Sequence, residues 1–288
     1  MQHLLSKGPL LDHKGVLAET GYAVSPVKTY DRKAIKGGAL RIKEWDYYLV
    51  HNGRYGIALT IADNAYMGLM SATFLDFEHK TERTASPMFW LPFGSTQFPA
   101  SAESGDVKKA IKGASGSFTH EDGGRRLRFH VDNFDGALPF DCDILLTDAP
   151  REYGDRHAVC RERRRFTTTT RSSPCAPRQR FSIGGTTRAF DRLLRHPRLG
   201  TRRLDYSNTW YWGAGQGIAG GHVISFNLGY GFGDTSAATE NMIFVDGVCL
   251  ARPVAFNIPP KTARTIFSLR GRLPRMTVDG SKARLRPF

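Results

Sequence analysis

The 288-residue chain lacks most of the signatures that announce a known chemistry. No apolar run approaches the roughly 18 to 20 residues that a membrane helix needs. The first residues hold a Leu4-Leu5 pair but no long apolar stretch and no small-residue cleavage site. No secretory signal is therefore expected, and a cytoplasmic setting is. The four cysteines (Cys142, Cys160, Cys175 and Cys249) form no Cys-x-x-Cys pair and read as reduced packing residues. The nine histidines are scattered without zinc spacing, so no metal site is expected. There is no Gly-x-Ser-x-Gly nucleophile elbow. The glycine-rich runs Gly213 to Gly217 and Gly229 to Gly233 are not followed by a helical pattern. A phosphate or dinucleotide loop needs a helix N-terminus at that point, so no cofactor is expected.

What is present is an uneven charge. The formal net charge is +14, which by itself points toward nucleic acid or an anionic surface. Residues 1–150 nevertheless carry 17 Lys and Arg against 18 Asp and Glu, and residues 206–251 carry no basic residue against 3 acids. The excess sits in residues 151–205, with 15 Arg, no Lys and 5 acids, and in residues 252–288, with 9 basic residues and one acid. The stretch from Arg161 through Arg165, Thr167 to Thr170 and Pro174 has neither helical nor strand periodicity. Basic charge outside the patterned sequence does not make a nucleic-acid face, and no specific nucleic-acid partner is expected.

The flanking sequence reads as strands and tight turns. Tyr47 to His51 and Tyr55 to Ile61 are β-rich runs separated by Asn52-Gly53, a pair that favours a type I′ hairpin turn. Met67 to Phe77, Leu127 to Val131, Ile144 to Thr147, His222 to Tyr230, Met242 to Val245, Val248 to Leu250 and Val254 to Ile258 are further strand candidates, with Asp246-Gly247 as a turn. One helix is expected, over Ala102 to Ile111, opened by Ser101. The expected fold is all-β, a lipocalin-like barrel or sandwich, as one unit or as two tandem β units. An N-terminal β half (1–150) and a C-terminal β half (206–288, its last part from 260 left open) flank a disordered or poorly packed Arg-rich middle, 151–205.

Several strings in the patterned halves carry a resemblance. They are Arg41-Ile42-Lys43-Glu44-Trp45-Asp46-Tyr47-Tyr48, Thr60 to Tyr66, Ser207 to Gly213, Phe226 to Gly229, and Gly231-Phe232-Gly233-Asp234-Thr235-Ser236 through Asn241. Together they resemble a bacterial family, domain of unknown function 2804, over residues 8–150 and 206–258. The resemblance implies no activity, because none is established for that family. At the level of architecture alone it extends to lipocalin-like proteins such as carotenoid hydratases and tocopherol cyclases.

The middle segment departs from the family's pattern. Members usually read Phe-Tyr-Tyr-Asn-x-Lys-Ile-Asn and then Leu-Asp-Trp-Gly-Arg-Gly-Val-Trp there. Codons for Arg195 to Asp205 read one base later give Gly-Ile-Leu-Asp-Trp-Gly-Arg-Gly-Val-Trp. Codons for Phe166 to Ala176 read two bases later give Tyr-Tyr-Asn-His-Lys-Ile-Lys-Pro-Met-Arg. Both depend on a choice of third bases. Frame slips in a GC-rich gene also produce the Arg, Pro, Thr and Ser seen here. The Arg-rich segment is thus expected to be frameshifted, with a natural basic insertion as the competing reading.

Two site readings follow from the intact strings. Glu44, Asp46, Asp63, Asp234 and Glu240 are carboxylates beside aromatics and glycines, and burial would raise the pKa of any of them enough for acid catalysis. Asp46 and Asp234 are the preferred pair, at a pocket where Lys43 to Tyr48 meets Gly231 to Asn241. The competing reading makes each carboxylate an acceptor at a turn or strand end. Trp45, Trp210 and Trp212, with Asn241, are candidate ligand-binding residues, against ordinary core packing. The function expected is binding of a hydrophobic small molecule in a β-barrel pocket. The alternative is an enzyme acting on an isoprenoid- or lipid-like substrate by carboxylate acid catalysis.

The charge distribution yields a first prediction. Duplex DNA should bind weakly, without sequence preference and with a steep loss as salt rises. Fluorescence anisotropy with two unrelated duplexes at low and physiological salt checks this, and discrimination between them at physiological salt would overturn it.

Overall fold

The computed structural model describes residues 3–36, 38–101, 103–121, 124–147, 152–159, 166–172, 175–176, 179–190, 193–203, 211–230, 234–239, 241–249, 275–279 and 282–286. Among these residues the chain is built of β-strands, with two 3-10 turns at Arg32–Ala34 and Ala39–Arg41. The all-β expectation holds.

Two antiparallel sheets enclose the main core. The larger has Ile42–His51 at its centre, paired with Tyr55–Asp63, then Met67–Asp76, then Thr81–Ala85. On its other side Ile42–His51 pairs with Leu193–Arg203, followed by Phe166–Ser172, Tyr153–Val159 and Gly21–Ala23. The smaller sheet runs Thr186–Phe190, Gln179–Ile183, Leu138–Leu146, Gly124–Asp135, Ala114–Glu121, Val107–Ile111. Strand alternation accounts for the layer between them. Val50, Ile57, Leu59, Ile61, Met70, Ala72 and Phe74 point inward from the larger sheet to meet Phe118, Leu127, Phe129, Val131, Phe140, Ile144 and Phe181 from the smaller. A third sheet, Tyr211–Ala219, His222–Tyr230, Met242–Val245 and Val248–Cys249, buries Met242, Phe244 and Cys249 against Val24.

Two expectations need correction. Among the described residues of 102–111 there is no helix: Val107–Ile111 is a strand that turns at Gly113 (φ 79°) and pairs with Ala114 to Phe118. Val107 and Ile111 are β-branched, and burying Val107 in the inter-sheet core outweighs the helix-start signal at Ser101. The 52–53 turn does join a hairpin, but neither Asn52 nor Gly53 takes a positive φ. The Asn52 side chain shapes it instead, Oδ1 accepting from the Arg54 and Tyr55 amides at 2.8 and 2.7 Å. Asp246-Gly247, by contrast, has positive φ at both residues, as a type I′ turn requires.

Within the Arg-rich middle, Thr167 to Arg171 pair with Arg198 to Arg202, and Leu194 to Arg203 pair along the whole of Ile42–His51. Phe181 and Ile183 are buried in the main core. Backbone pairing needs no side-chain periodicity, so a segment without hydrophobic pattern can still complete a sheet whose partner strand is strongly patterned. Arg161 to Arg165 and Val254 to Ile258 lie outside the described residues.

Candidate functional site

The central strand Ile42–His51 carries two different faces. Ile42, Glu44, Asp46, Tyr48 and Val50 are buried, while Lys43, Trp45, Tyr47 and Leu49 on the opposite face are half-buried. Glu44, Asp46 and Tyr48 thus share a face with one another, as alternation requires, and that face looks into the core.

Each inward carboxylate has its own partners. Asp46 accepts from Arg125 Nη2 at 3.3 Å and from Tyr48 Oη at 3.4 Å. Arg125 comes from the opposite sheet, where it also donates from Nε to Tyr48 Oη at 3.0 Å and from Nη1 to the Gly105 carbonyl at 2.7 Å. Burial raises the Asp46 carboxyl to about 6, and Arg125 and Tyr48 offset only part of that. Glu44 accepts from Tyr30 Oη at 2.5 Å and Arg32 Nε at 2.7 Å. Burial raises its pKa too, with Tyr30 and Arg32 opposing the rise and the nearby Asp63 adding to it. Asp63 stands directly opposite Glu44 in the strand register and accepts the Ala65 and Gly94 amides at 3.0 and 2.7 Å. These carboxylates tie the N-terminal segment, a loop and the second sheet to one strand.

Asp234 lies elsewhere. It is exposed, its Oδ1 accepts the Ser236 amide at 2.8 Å, and that bond holds its carboxyl below the usual range. It shares no partner with Asp46. Glu240 and Trp210 lie outside the described residues.

The outer face of the central strand also meets the third sheet. The Tyr47 ring meets Trp212 edge-on, with centroids 5.7 Å apart. Trp45 lies two residues along on the same face. Trp212 donates from its indole nitrogen to Asn227 Oδ1 at 2.6 Å, and Asn241 Oδ1 accepts the Gly229 amide at 2.9 Å. Trp212 and Gln216 fall on one face of Tyr211–Ala219, and Gln216 stands directly opposite Ser225. Gln216 Oε1 and Nε2 and Ser225 Oγ are all buried without a hydrogen-bond partner. Native interiors tolerate few such atoms, because each costs the desolvation of a polar group with no bond in return.

A third constellation fails on geometry. Ser115, His130 and Asp141 occupy one row across three strands of the smaller sheet and line an open groove of about 530 Å³. The spacing suggests a nucleophile, base and acid. His130 Nδ1, however, lies 2.7 Å from Asp141 and Nε2 lies 2.7 Å from Asp132. Both carboxylates raise the imidazole pKa. A ring whose two nitrogens both donate to carboxylates has no lone pair left to take a proton from Ser115.

Arg125, Gln216 and Ser225 were not anticipated from the sequence. Arg125 was detectable, since it starts the inward series Arg125, Leu127, Phe129, Val131 and is the one charge in it. Gln216 is the single polar side chain within the glycine run 213–217.

By architecture this is an all-β protein of antiparallel sheets. A sequence model for the family described as Domain of unknown function (DUF2804) matches residues 2–285, and the chain belongs to that family. The match spans the Arg-rich middle as well as the segments on either side of it. No curated protein matches the chain. Among solved structures that resemble it is a Nitrosomonas europaea protein described as an AttH candidate, with 13% identity and a TM-score of 0.45 over 77% of this chain and 71% of that one.

The buried Asp46 makes stability depend on pH in a defined direction. Its folded-state pKa of about 6 lies above the ordinary aspartate value of 3.8. The folded state therefore holds the proton more tightly, and this contribution is full below about pH 4 and is lost as pH rises through 6. Urea midpoints of the wild type should fall between pH 4 and pH 7 more steeply than those of Asp46→Asn. Equal slopes would show that Asp46 does not titrate in that window.

Arg125→Met should cost about 3–5 kcal/mol at pH 7, because it strands a buried carboxylate. Adding Asp46→Leu should recover most of that loss. Chemical denaturation of the two variants measures both effects.

Proposed function

We propose that the protein binds a hydrophobic small molecule carrying one neutral hydrogen-bonding group, between the outer face of Ile42–His51 and the third sheet. One observation carries this reading: Gln216 Oε1 and Nε2 and Ser225 Oγ, on facing positions of adjacent strands, are buried and unpartnered. A hydroxyl or carboxamide entering there would accept from Gln216 Nε2 and donate to Gln216 Oε1, while a carbonyl would accept from Gln216 Nε2 and Ser225 Oγ. The Tyr47 and Trp212 rings, in contact on the same side of the third sheet, supply an apolar wall. An anionic ligand fits poorly. Residues 206–251 contain no Lys or Arg, and an anion left without a counter-charge in a buried site is too costly.

The setting that accompanies this reading is cytoplasmic. Cys142 and Cys249 are free and buried, and burial pushes the Cys249 thiol up to about 12, which keeps it unreactive. No described helix is long and apolar enough to cross a membrane.

Tryptophan-fluorescence titration with geranylgeraniol, an isoprenoid alcohol, tests the proposal. Gln216→Leu and Ser225→Ala should each weaken binding by about tenfold, the loss of one buried hydrogen bond. Without ligand, Ser225→Ala should be more stable than the wild type by about 1 kcal/mol, because a buried unpaired hydroxyl has been removed. A loss of stability in the ligand-free variant would mean that these atoms serve the fold.

A second reading, acid catalysis by a carboxylate, is favoured by the raised Asp46 carboxyl at about 6. A part-protonated carboxyl can donate a proton to an isoprenoid-like substrate, which on this reading has to reach the core face of Ile42–His51, opposite the aromatic wall. Its signature is turnover that falls above pH 6 and is abolished in Asp46→Asn while geranylgeraniol affinity is retained.

A further inference from the structure

Five apolar side chains project into solvent at one end of the larger sheet. Trp90 is 69% exposed and Leu91 65%, with Met88, Phe93 and Tyr66 also exposed. They sit on two adjoining segments. Trp90 pairs with Met67, the Leu91 amide donates to the Tyr66 carbonyl at 2.9 Å, and the Phe93 amide donates to the Ala65 carbonyl at 3.1 Å. Leu40, also exposed, precedes Ile42 at the same end of the sheet, where Glu44 faces Asp63.

This display is held in place by structure, at a cost. Ala65, Leu91 and Phe93 all have positive φ, a region that side chains other than glycine enter only under constraint. The constraint is visible. Both oxygens of the fully buried Asp63 are committed, one to the Ala65 amide and one to the Gly94 amide. Gly94 in turn lies against the Arg32 guanidinium so closely that any Cβ there would collide with it. A fold that merely needed a connection would turn these side chains inward or replace them with polar ones. Here the backbone is strained and pinned with the aromatic residues outward.

The charge around the patch identifies the partner. The stretch from Ala85 to Ala102, which contains Met88 to Phe93, has no charged residue. The neighbouring stretch from Asp31 to Lys43 has Arg32, Lys33, Lys36, Arg41 and Lys43 against the single acid Asp31. Arg32 abuts the loop at Gly94, and the Lys43 ammonium lies 4.4 Å from the centre of the Tyr66 ring. Protruding tryptophan, leucine and phenylalanine beside a basic margin match the boundary between anionic headgroups and acyl chains. Indole and phenol rings are favoured at that depth, and Lys and Arg are drawn to the surface charge.

We infer that this end of the molecule docks on an anionic lipid bilayer, inserting Trp90, Leu91 and Phe93 at headgroup depth without spanning it. The two contributions are separable. Apolar insertion resists salt, whereas the basic margin selects anionic over neutral lipid and is screened.

Co-sedimentation with phosphatidylcholine vesicles, with and without about 30% phosphatidylserine, tests this; the proportion is chosen to give a clear surface potential. The protein should sediment with the anionic vesicles and much less with the neutral ones. Trp90→Ser/Leu91→Ser should reduce binding by about tenfold or more with an unchanged circular dichroism spectrum, since both residues lie outside the core. Lys33→Glu/Arg41→Glu should abolish the preference for anionic lipid. Failure to bind anionic vesicles would overturn the inference. Binding that the double serine variant leaves intact would overturn it too, since the net charge alone would then be responsible. Concentration-dependent dimerisation of the wild type, lost in that variant in sedimentation velocity, would assign the patch to a second copy of the chain instead.

Discussion

The contact between Arg125 and the Asp46–Tyr48 pair determines how the two main sheets meet. An ion pair removed from water gains little net energy, because the attraction between the charges is largely consumed by their desolvation. Its value here is geometric. Phe118, Leu127 and Ile144 can slide against Val50, Leu59 and Met70 with little penalty, since apolar contacts are not directional. Arg125 cannot slide, because its Nε, Nη1 and Nη2 each have a fixed acceptor. A displacement that broke these bonds would leave two buried charges without partners.

The same strand sorts structural from recognition chemistry by alternation alone. Its inward residues Glu44, Asp46 and Tyr48 have partners drawn from the N-terminal segment and the second sheet. Its outward residues Trp45 and Tyr47 face the side that receives Trp212. Carboxylates saturated with internal partners are poorly placed to meet a ligand. The unpartnered Gln216 and Ser225 still have hydrogen bonds to give. The proposed ligand site therefore sits behind the row of acids, on the opposite face of the same strand, and the raised Asp46 pKa is accounted for by burial.

The strained loop at Leu91 to Gly94 belongs to the same economy of anchoring. Asp63 faces Glu44 across one strand pair, yet the two carboxylates hold different segments: Glu44 the N-terminal residues Tyr30 and Arg32, Asp63 the Ala65 and Gly94 turns. Arg32 also packs against Gly94, so the two anchors touch. Three distant stretches of chain are gathered at one end of the sheet, and the exposed aromatics are displayed from the result.

Much of this was legible from residue order. Given a strand through Lys43 to Tyr48, alternation puts Glu44, Asp46 and Tyr48 on one face, and the Asp246-Gly247 pair favours a tight turn; both rest on local geometry that neighbouring residues decide. The all-β class follows from many such runs together. The 102–111 stretch could not be decided locally, because its helix and strand tendencies are similar and the burial of Val107 against a distant sheet chose between them. Nor could the Arg-rich middle, whose described parts pair with strands whose pattern lies far away in the chain. Candidate carboxylates could be named from sequence, but whether a carboxylate is saturated or available depends on what a fold brings to it. Only the tertiary structure placed Arg125 on Asp46 and left Gln216 and Ser225 unpaired, since those outcomes depend on residues far apart in the chain arriving at, or missing from, the same few ångströms.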